Sequence, residues 1–333
     1  MVDTLRARFT SASAKMPRRA LQIVFVLLTA AVLAVLGLRS RSHLAELRQF
    51  SHPGPGWLVL AVLAQVASLA AYALVVRELL GLGKVTARLL TLMRTTVGGI
   101  AMTASLPGGK AASAVYWYRQ LKQQGADGGL TGLAMVGSML AGVLSLAGLV
   151  VAGVAAAGGE GPLAAARIPI LAGAIALLTL QLLFRRRVAR TLVSLVRRLA
   201  PGLPDDFSAG RRSVLAIATL AFANWLLDCV CLYAALAAVH ASVPLHGIVL
   251  TYALAQLTTI LPLLPGGGGT VEVTLTLGFA AFGHTSGSVI AGVLLFRLIS
   301  CWGLVPVGWL AVALEGRRIP LGGFGRPAVV AVA

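Results

Sequence analysis

Leu106-Pro107-Gly108-Gly109 and Leu264-Pro265-Gly266-Gly267 break two long apolar stretches with the same four-residue phrase. Proline lacks an N–H and fixes φ, and glycine frees the backbone, so a helix ends at each phrase. Residues able to start a new helix follow at once: Lys110-Ala111-Ala112 in one case, Gly268-Gly269-Thr270-Val271-Glu272 in the other. In a bilayer, broken backbone persists only where it is buried in protein or lines a cavity. The two phrases therefore read as the tips of re-entrant helical hairpins, at 106–110 and 264–270.

The surrounding composition places them in a membrane. Of 333 residues, 58% are hydrophobic and only 11% charged, where a soluble domain carries about a quarter. Mean hydropathy is +0.90, and several apolar runs approach the ~20 residues a spanning helix needs. The fold expected is an all-α polytopic membrane protein with about six full spans and two re-entrant hairpins. Cys229, Cys231 and Cys301 all sit inside apolar runs, so neither a disulfide framework nor a Cys metal site is expected.

A basic segment 1–19 precedes the first apolar run, 20–38. Arg39 and Arg41 close that run and no small-x-small cleavage site follows, so it reads as a retained helix. Further spans are expected at about 57–76, 130–155, 167–184, 213–239 and 288–314. The first hairpin has an arm at about 95–106 and a short arm at 110–118. The second has arms at about 247–263 and 270–283. None of these arms crosses ~30 Å alone at 1.5 Å per residue. The segment 185–212, with RRRVARTLVSLVRRL and eight Arg, reads as a basic amphipathic helix on the membrane surface.

The net charge of +18 would suggest nucleic acid, but it follows the topology instead. If both hairpins return to the side they entered from, five Lys and Arg in 1–19, four in 77–94, two in 119–129, eight in 185–212 and three in the tail share one side. Only Arg39, Arg41, Arg48 and Arg167 fall opposite, and Lys110 and Arg297 stay within the membrane. That asymmetry places both termini in the cytoplasm. Had either hairpin crossed, the eight-Arg loop or the tail would lie outside. No nucleic-acid partner is expected, because no basic–aromatic module lies outside the membrane. The basic loop is expected to meet anionic lipid headgroups.

The order span, broken hairpin, span occurs from 57 to about 155 and again from 213 to about 314, with the two phrases 158 positions apart. This divides the chain into a cytoplasmic N-terminus (1–19), a first repeat (20–156), an external linker (157–166), a second repeat (167–314) containing the cytoplasmic loop 185–212, and a cytoplasmic tail (315–333). Three full spans per unit is an odd number, so the second unit enters from the opposite face. That is the inverted-repeat plan of many transporters, whose sites lie where discontinuous helices meet.

Four ionisable side chains fall near mid-membrane: Lys110, Asp228, Glu272 and Arg297. Each costs about 2.5–3.5 kcal/mol by insertion scales, which makes each a functional candidate. The arms that begin at Gly108-Gly109 and at Gly266-Gly267-Gly268 would point free N–H groups and positive dipole ends into a midplane cavity, with Thr270 at the second tip. Such ends bind phosphate or carboxylate. Lys110 either adds its charge to that site or snorkels to an aqueous face. Asp228, Glu272 and Arg297 serve either as a gate or coupling group or as a structural ion pair. Arg119, after Tyr116-Trp117-Tyr118, is an interfacial anchor or a headgroup contact. The five histidines (His43, His52, His240, His246, His284) map to the external side without close ligand spacing, so no metal is assigned. No hydrolase, zinc-protease or Walker signature is present, and no catalytic residue or cofactor is expected.

Pro265-Gly266-Gly267-Gly268-Gly269-Thr270-Val271-Glu272, with Leu277-Gly278, Phe282-Gly283 and Leu295-Phe296-Arg297-Leu298, resembles the flippase-like transmembrane family. This is the membrane domain of lysylphosphatidylglycerol synthases, of the multiple peptide resistance factor type, and their stand-alone relatives. Its pattern is Pro-Gly-Gly-x-Gly-x-x-Glu followed by an Arg in the next span, and Glu272 and Arg297 match. The resemblance is specific over about 262–313. It implies movement of a lipid between leaflets, the relatives being linked to aminoacyl-phosphatidylglycerol or to polyprenyl-phosphate sugars. The first half departs from the pattern: Lys110-Ala111-Ala112 stands where relatives often have an acidic residue and a nearby Arg. No aminoacyl-transferase domain follows the last span, so synthesis of aminoacyl lipid is not expected.

The function expected is a flippase for an anionic phospholipid or a polyprenyl-phosphate-linked glycolipid in the bacterial cytoplasmic membrane. The phosphate would be held between the tips and Lys110, with Glu272 and Arg297 as a switchable pair. Alternatives are an integral-membrane enzyme on polyprenyl phosphates, a scaffold docking a cytoplasmic glycosyltransferase through 185–212, or a small-anion carrier.

Overall fold

The eight residues 57–64 are all apolar, and a helix that starts at Pro55 carries them. In the computed structural model, which describes residues 54–106, 108–156, 210–259 and 270–316, helix α1 is Pro55–Gly81. Proline suits the first helical position, where its missing N–H has no partner to lose. The remaining helices are α2 Leu89–Ser105, α3 Gly109–Gln123, α4 Gly128–Ala156, α5 Arg211–Ala238, α6 Leu245–Thr258, α7 Thr270–Ala281, α8 Gly287–Arg297 and α9 Leu304–Gly316, with a π turn at Leu298–Trp302 joining the last two. Every described segment of regular structure is helical. The expected spans 20–38 and 167–184, most of the loop 185–212, the tail beyond 316, Gly266, Gly267 and Gly268, and His43 and His52 lie outside the described residues.

Among the described residues, four helices are long and apolar enough to cross a bilayer: Pro55–Gly81, Gly128–Ala155, Arg212–Ala238 and Gly287–Glu315. They coincide with four of the six expected spans. Between them lie two helical hairpins, α2–α3 and α6–α7, whose arms hold 17, 15, 14 and 12 residues. All four arms fall short of the ~20 residues a span requires. The first hairpin is longer than its apolar run indicates, starting at Leu89 and ending at Gln123. Arg94 lies inside α2 and is exposed. A helix tolerates such a residue near its aqueous end, where a long side chain reaches water.

Among the described residues, α1 and α5 form the most extensive helix pair. The Gly54 N–H donates to the Ala238 carbonyl at 3.0 Å, Gln65 meets Asp228, and Ser68 exchanges hydrogen bonds with Asn224. Numbers rise on one helix as they fall on the other, so the pair is antiparallel. Ala61, Ala64 and Ser68 on α1 and Cys231, Ala235 and Ala238 on α5 are buried. Small residues at such an interface let two backbones approach closely where lipid provides no hydrophobic drive. The opposite face of α1 leaves Val59, Val62, Leu63 and Val66 exposed, as a lipid-facing surface requires. The largest fully buried side chains include Tyr252, Phe279 and Phe296, which gather α6, α7 and α8 around α5.

Candidate functional site

At the first tip Gly108 adopts φ +68, the left-handed region that glycine enters without cost. Gly109 opens α3 so close to α2 that a Cβ there would stand 2.2 Å from the Met102 carbonyl oxygen and 2.8 Å from the Thr103 Cα. The glycines are thus what let α3 fold back against α2. The Gly109 N–H is taken by the Leu106 carbonyl at 2.9 Å, so this amide is not open to a ligand.

Lys110 reaches across to the other hairpin. Its Nζ donates to the Thr259 carbonyl at 2.6 Å, and Thr259 is the residue that closes α6. A cation at a helix C-terminus satisfies an orphan carbonyl and complements the dipole. The hairpins follow α1 and α5, which point in opposite directions, so they enter from opposite ends of the bundle and meet here. An ammonium group has three donors, and Lys110 is exposed, so Thr259 takes one donor only.

The second tip is electrostatically different. Thr270 opens α7, and Glu272 puts a carboxylate in its first turn. The Arg297 Nε donates to Glu272 Oε1 at 2.7 Å, with 8% and 14% of the two side chains exposed. This pair joins the second arm of the hairpin to α8. The first arm is held separately: Tyr252 on α6 donates to Asp228 Oδ2 at 2.8 Å, and Gln65 on α1 approaches Asp228 Oδ1 at 3.4 Å. Asp228 therefore sits apart from the ion pair, among neutral partners. Tyr252 bridges the two clusters, its ring packing edge-on to Phe296 at 6.2 Å.

The last span clamps both hairpins. Its α8 half packs on α7, and its α9 half lies along α2. A Cβ on Gly308 would stand 2.4 Å from the Val97 carbonyl oxygen, so backbone meets backbone. The Trp309 indole donates to Ser105 at 3.1 Å. At the end of the span Glu315 accepts from Tyr116 at 2.6 Å and from Gln120 at 2.9 Å, both on α3. Between the two clamps, directly after Arg297, is the π turn. The Gly303 N–H reaches back five residues to Leu298 at 2.6 Å. Pro306 lies four residues beyond Trp302 and brings no N–H for that carbonyl, and its ring would crowd it in a regular helix. The π turn widens the coil at that place.

Residues 19–308 match the family described as Lysylphosphatidylglycerol synthase TM region. The chain belongs to this family. It is also similar to a UPF0104 membrane protein of Methanothermobacter thermautotrophicus, 31% identical over 126 residues, which is 35% of this chain and 37% of that protein. The match thus spans little more than a third of the relative. Family membership makes this a membrane protein of the lipid-related class, multi-pass by its helices.

Of the expected site residues, Gly108, Gly109 and Lys110 form one tip, and Lys110 joins it to the end of α6. Glu272 and Arg297 form a pair, with Thr270 beginning the same helix. Asp228 is partnered separately, by Tyr252 and Gln65. Arg119 is exposed on α3, about 15 Å along the helix from Gly109 at 1.5 Å per residue, and is not at the tips. His240, His246 and His284 lie at the end of α5, the start of α6 and just past α7, and among the described residues no metal-holding group forms. Gln65, Tyr252 and Glu315 were not anticipated. An amide in the middle of a span is the one signal that could have drawn attention to Gln65, and the proline after the glycine could have marked the π turn.

Proposed function

We propose that the protein moves a phosphate-bearing lipid, an anionic phospholipid or a polyprenyl-phosphate-linked glycolipid, between leaflets of the cytoplasmic membrane, and that it is a transporter and not an enzyme. The observation that carries this reading is the Lys110–Thr259 contact, which joins the tip of the first hairpin to the end of the first arm of the second, the two entering from opposite ends of an antiparallel helix pair. A carrier with alternating access needs this: two gates facing opposite sides and one place between them. The family's lipid-related class supports a lipid as cargo. Lys110, with Gly108 and Gly109 beside it, is the electropositive tip and holds the phosphate. The second tip carries its own carboxylate and guanidinium, so Glu272 and Arg297 open and close the hairpin. Both termini face the cytoplasm, and 185–212 rests on the anionic membrane surface.

The test is leaflet exchange of fluorescent phosphatidylglycerol, and in parallel of a polyprenyl phosphate, in reconstituted phosphatidylcholine vesicles. A hydrogen bond to a charged group is worth about 1.5–3 kcal/mol, so Lys110→Gln should weaken lipid binding about tenfold or more. Glu272→Gln should slow turnover while binding persists. Wild-type vesicles that exchange neither lipid faster than empty ones would remove the reading.

A further inference from the structure

Gln65 is 5% exposed, and its Oε1 has no hydrogen-bond partner. Its amide lies against Asp228, with Nε2 at 3.4 Å from Oδ1, a long contact. The amide can turn over about its last bond, exchanging its two ends. In the arrangement given, a buried carbonyl oxygen is left without a donor. Turned over, Oε1 faces Oδ1, and two acceptor oxygens hold together only with a proton between them. In the turned-over arrangement a proton on Asp228 supplies the donor that Oε1 lacks.

The rest of the surroundings agree. Asp228 accepts from Tyr252 on α6. On α1, the neutral Ser68 hydroxyl exchanges hydrogen bonds with Asn224 of α5 and also reaches Asp228. Cys229 and Cys231 are its neighbours on α5 and are free and buried. α4 contributes no titratable residue, and its nearby contact is the Trp225 indole on the Gly142 carbonyl. On α8 the guanidinium of Arg297 binds Glu272, and the neighbouring Phe296 ring packs on Tyr252. A carboxylate among neutral partners at membrane depth is costly, and a proton removes the charge and supplies the missing donor. A metal ion fits less well, because Tyr252 directs a donor, not a lone pair, at Oδ2.

We propose that Asp228 and Gln65 form a proton-binding site, with Asp228 carrying a proton that it donates to Gln65 Oε1. On release the carboxyl O–H bond breaks, its electron pair stays on the carboxylate and the proton passes to water. Tyr252 belongs to the first arm of the second hairpin, so moving that arm withdraws its hydroxyl from Asp228. Proton occupancy and hairpin position are thereby linked. This link rests on the transport reading, whereas the proton site does not.

Infrared difference spectra of the full protein in lipid nanodiscs test the site without transport. At neutral pH the wild type should show a protonated-carboxyl C=O band that shifts in heavy water, is lost in Asp228→Asn, and moves to higher frequency in Gln65→Leu. A wild type lacking the band overturns the proposal even if the variants fail to fold. So does a band that sodium chloride abolishes at constant pH, which would mark a metal-ion site. For the link, exchange of fluorescent phosphatidylglycerol in phosphatidylcholine vesicles is measured under opposite pH gradients. One proton biases the equilibrium by up to about tenfold per pH unit. Wild-type rates should differ between the gradients and Asp228→Asn rates should not. Equal wild-type rates overturn the link. No exchange in either gradient removes transport itself and leaves the proton site to the infrared result.

Discussion

Glu272 and Arg297 bind each other with little solvent contact, and that fixes what substitution does at the residue scale. Removing one partner of a buried pair leaves an uncompensated charge and costs about 3–5 kcal/mol, while replacing both with apolar residues is often neutral. Glu272→Leu and Arg297→Met should each lower the unfolding temperature in detergent sharply. The double variant should recover most of the loss and yet fail to exchange lipid, which separates the pair's structural role from its gating role. Lys110 behaves differently, because it is exposed and bonded to a carbonyl. Lys110→Gln should leave the unfolding temperature near that of the wild type while lipid binding falls. Glu272, Arg297 and Lys110 were all legible in the sequence as charges out of place in apolar runs. The bond from Lys110 to Thr259 was not, since 149 positions separate the two residues and no local pattern reports such a contact.

At the scale of elements, the last span is one apolar run in sequence and two functional pieces in space. Its α8 half serves the second hairpin, its α9 half serves the first, and the π turn sets the angle between them. A Cβ on Gly303 would stand 2.6 Å from the Leu298 carbonyl oxygen, so Gly303→Ala cannot keep this turn. In a Pro306→Ala background the helix can close into regular α form, and the same substitution should cost less. Unfolding temperatures of the two single variants and the double variant check this coupling. Gly308→Val inserts a side chain where backbone now touches backbone, and overpacking of this kind costs about 1–3 kcal/mol. It should loosen α9 from α2 and weaken the Glu315 contacts with Tyr116 and Gln120, which proteolysis at the base of the first hairpin would register.

At the scale of the whole molecule, the antiparallel α1–α5 pair makes a topological prediction. Arg88→Cys and Gln123→Cys, at the base of the first hairpin, should react with a membrane-impermeant thiol reagent from one side. Ser242→Cys and Thr285→Cys, at the base of the second, should react from the other. All four positions are exposed, and the native cysteines are buried, so the background is low. Labelling of both bases from one face would contradict hairpins of opposite entry.

What the sequence determined by itself is what local chemistry dictates. Apolar run lengths marked the described spans, the first Pro-Gly phrase marked the first hairpin tip, and isolated charges marked Lys110, Asp228, Glu272 and Arg297. Each follows from a property of a few adjacent residues measured against a bilayer. Only the tertiary structure decided how those charges are partnered: Arg297 with Glu272, Asp228 with Tyr252 and Gln65, and Lys110 with the end of α6. It also decided that one span, through its π turn, holds both hairpins. Those outcomes depend on which helix faces which, and such packing is set by small residues and single hydrogen bonds from distant segments.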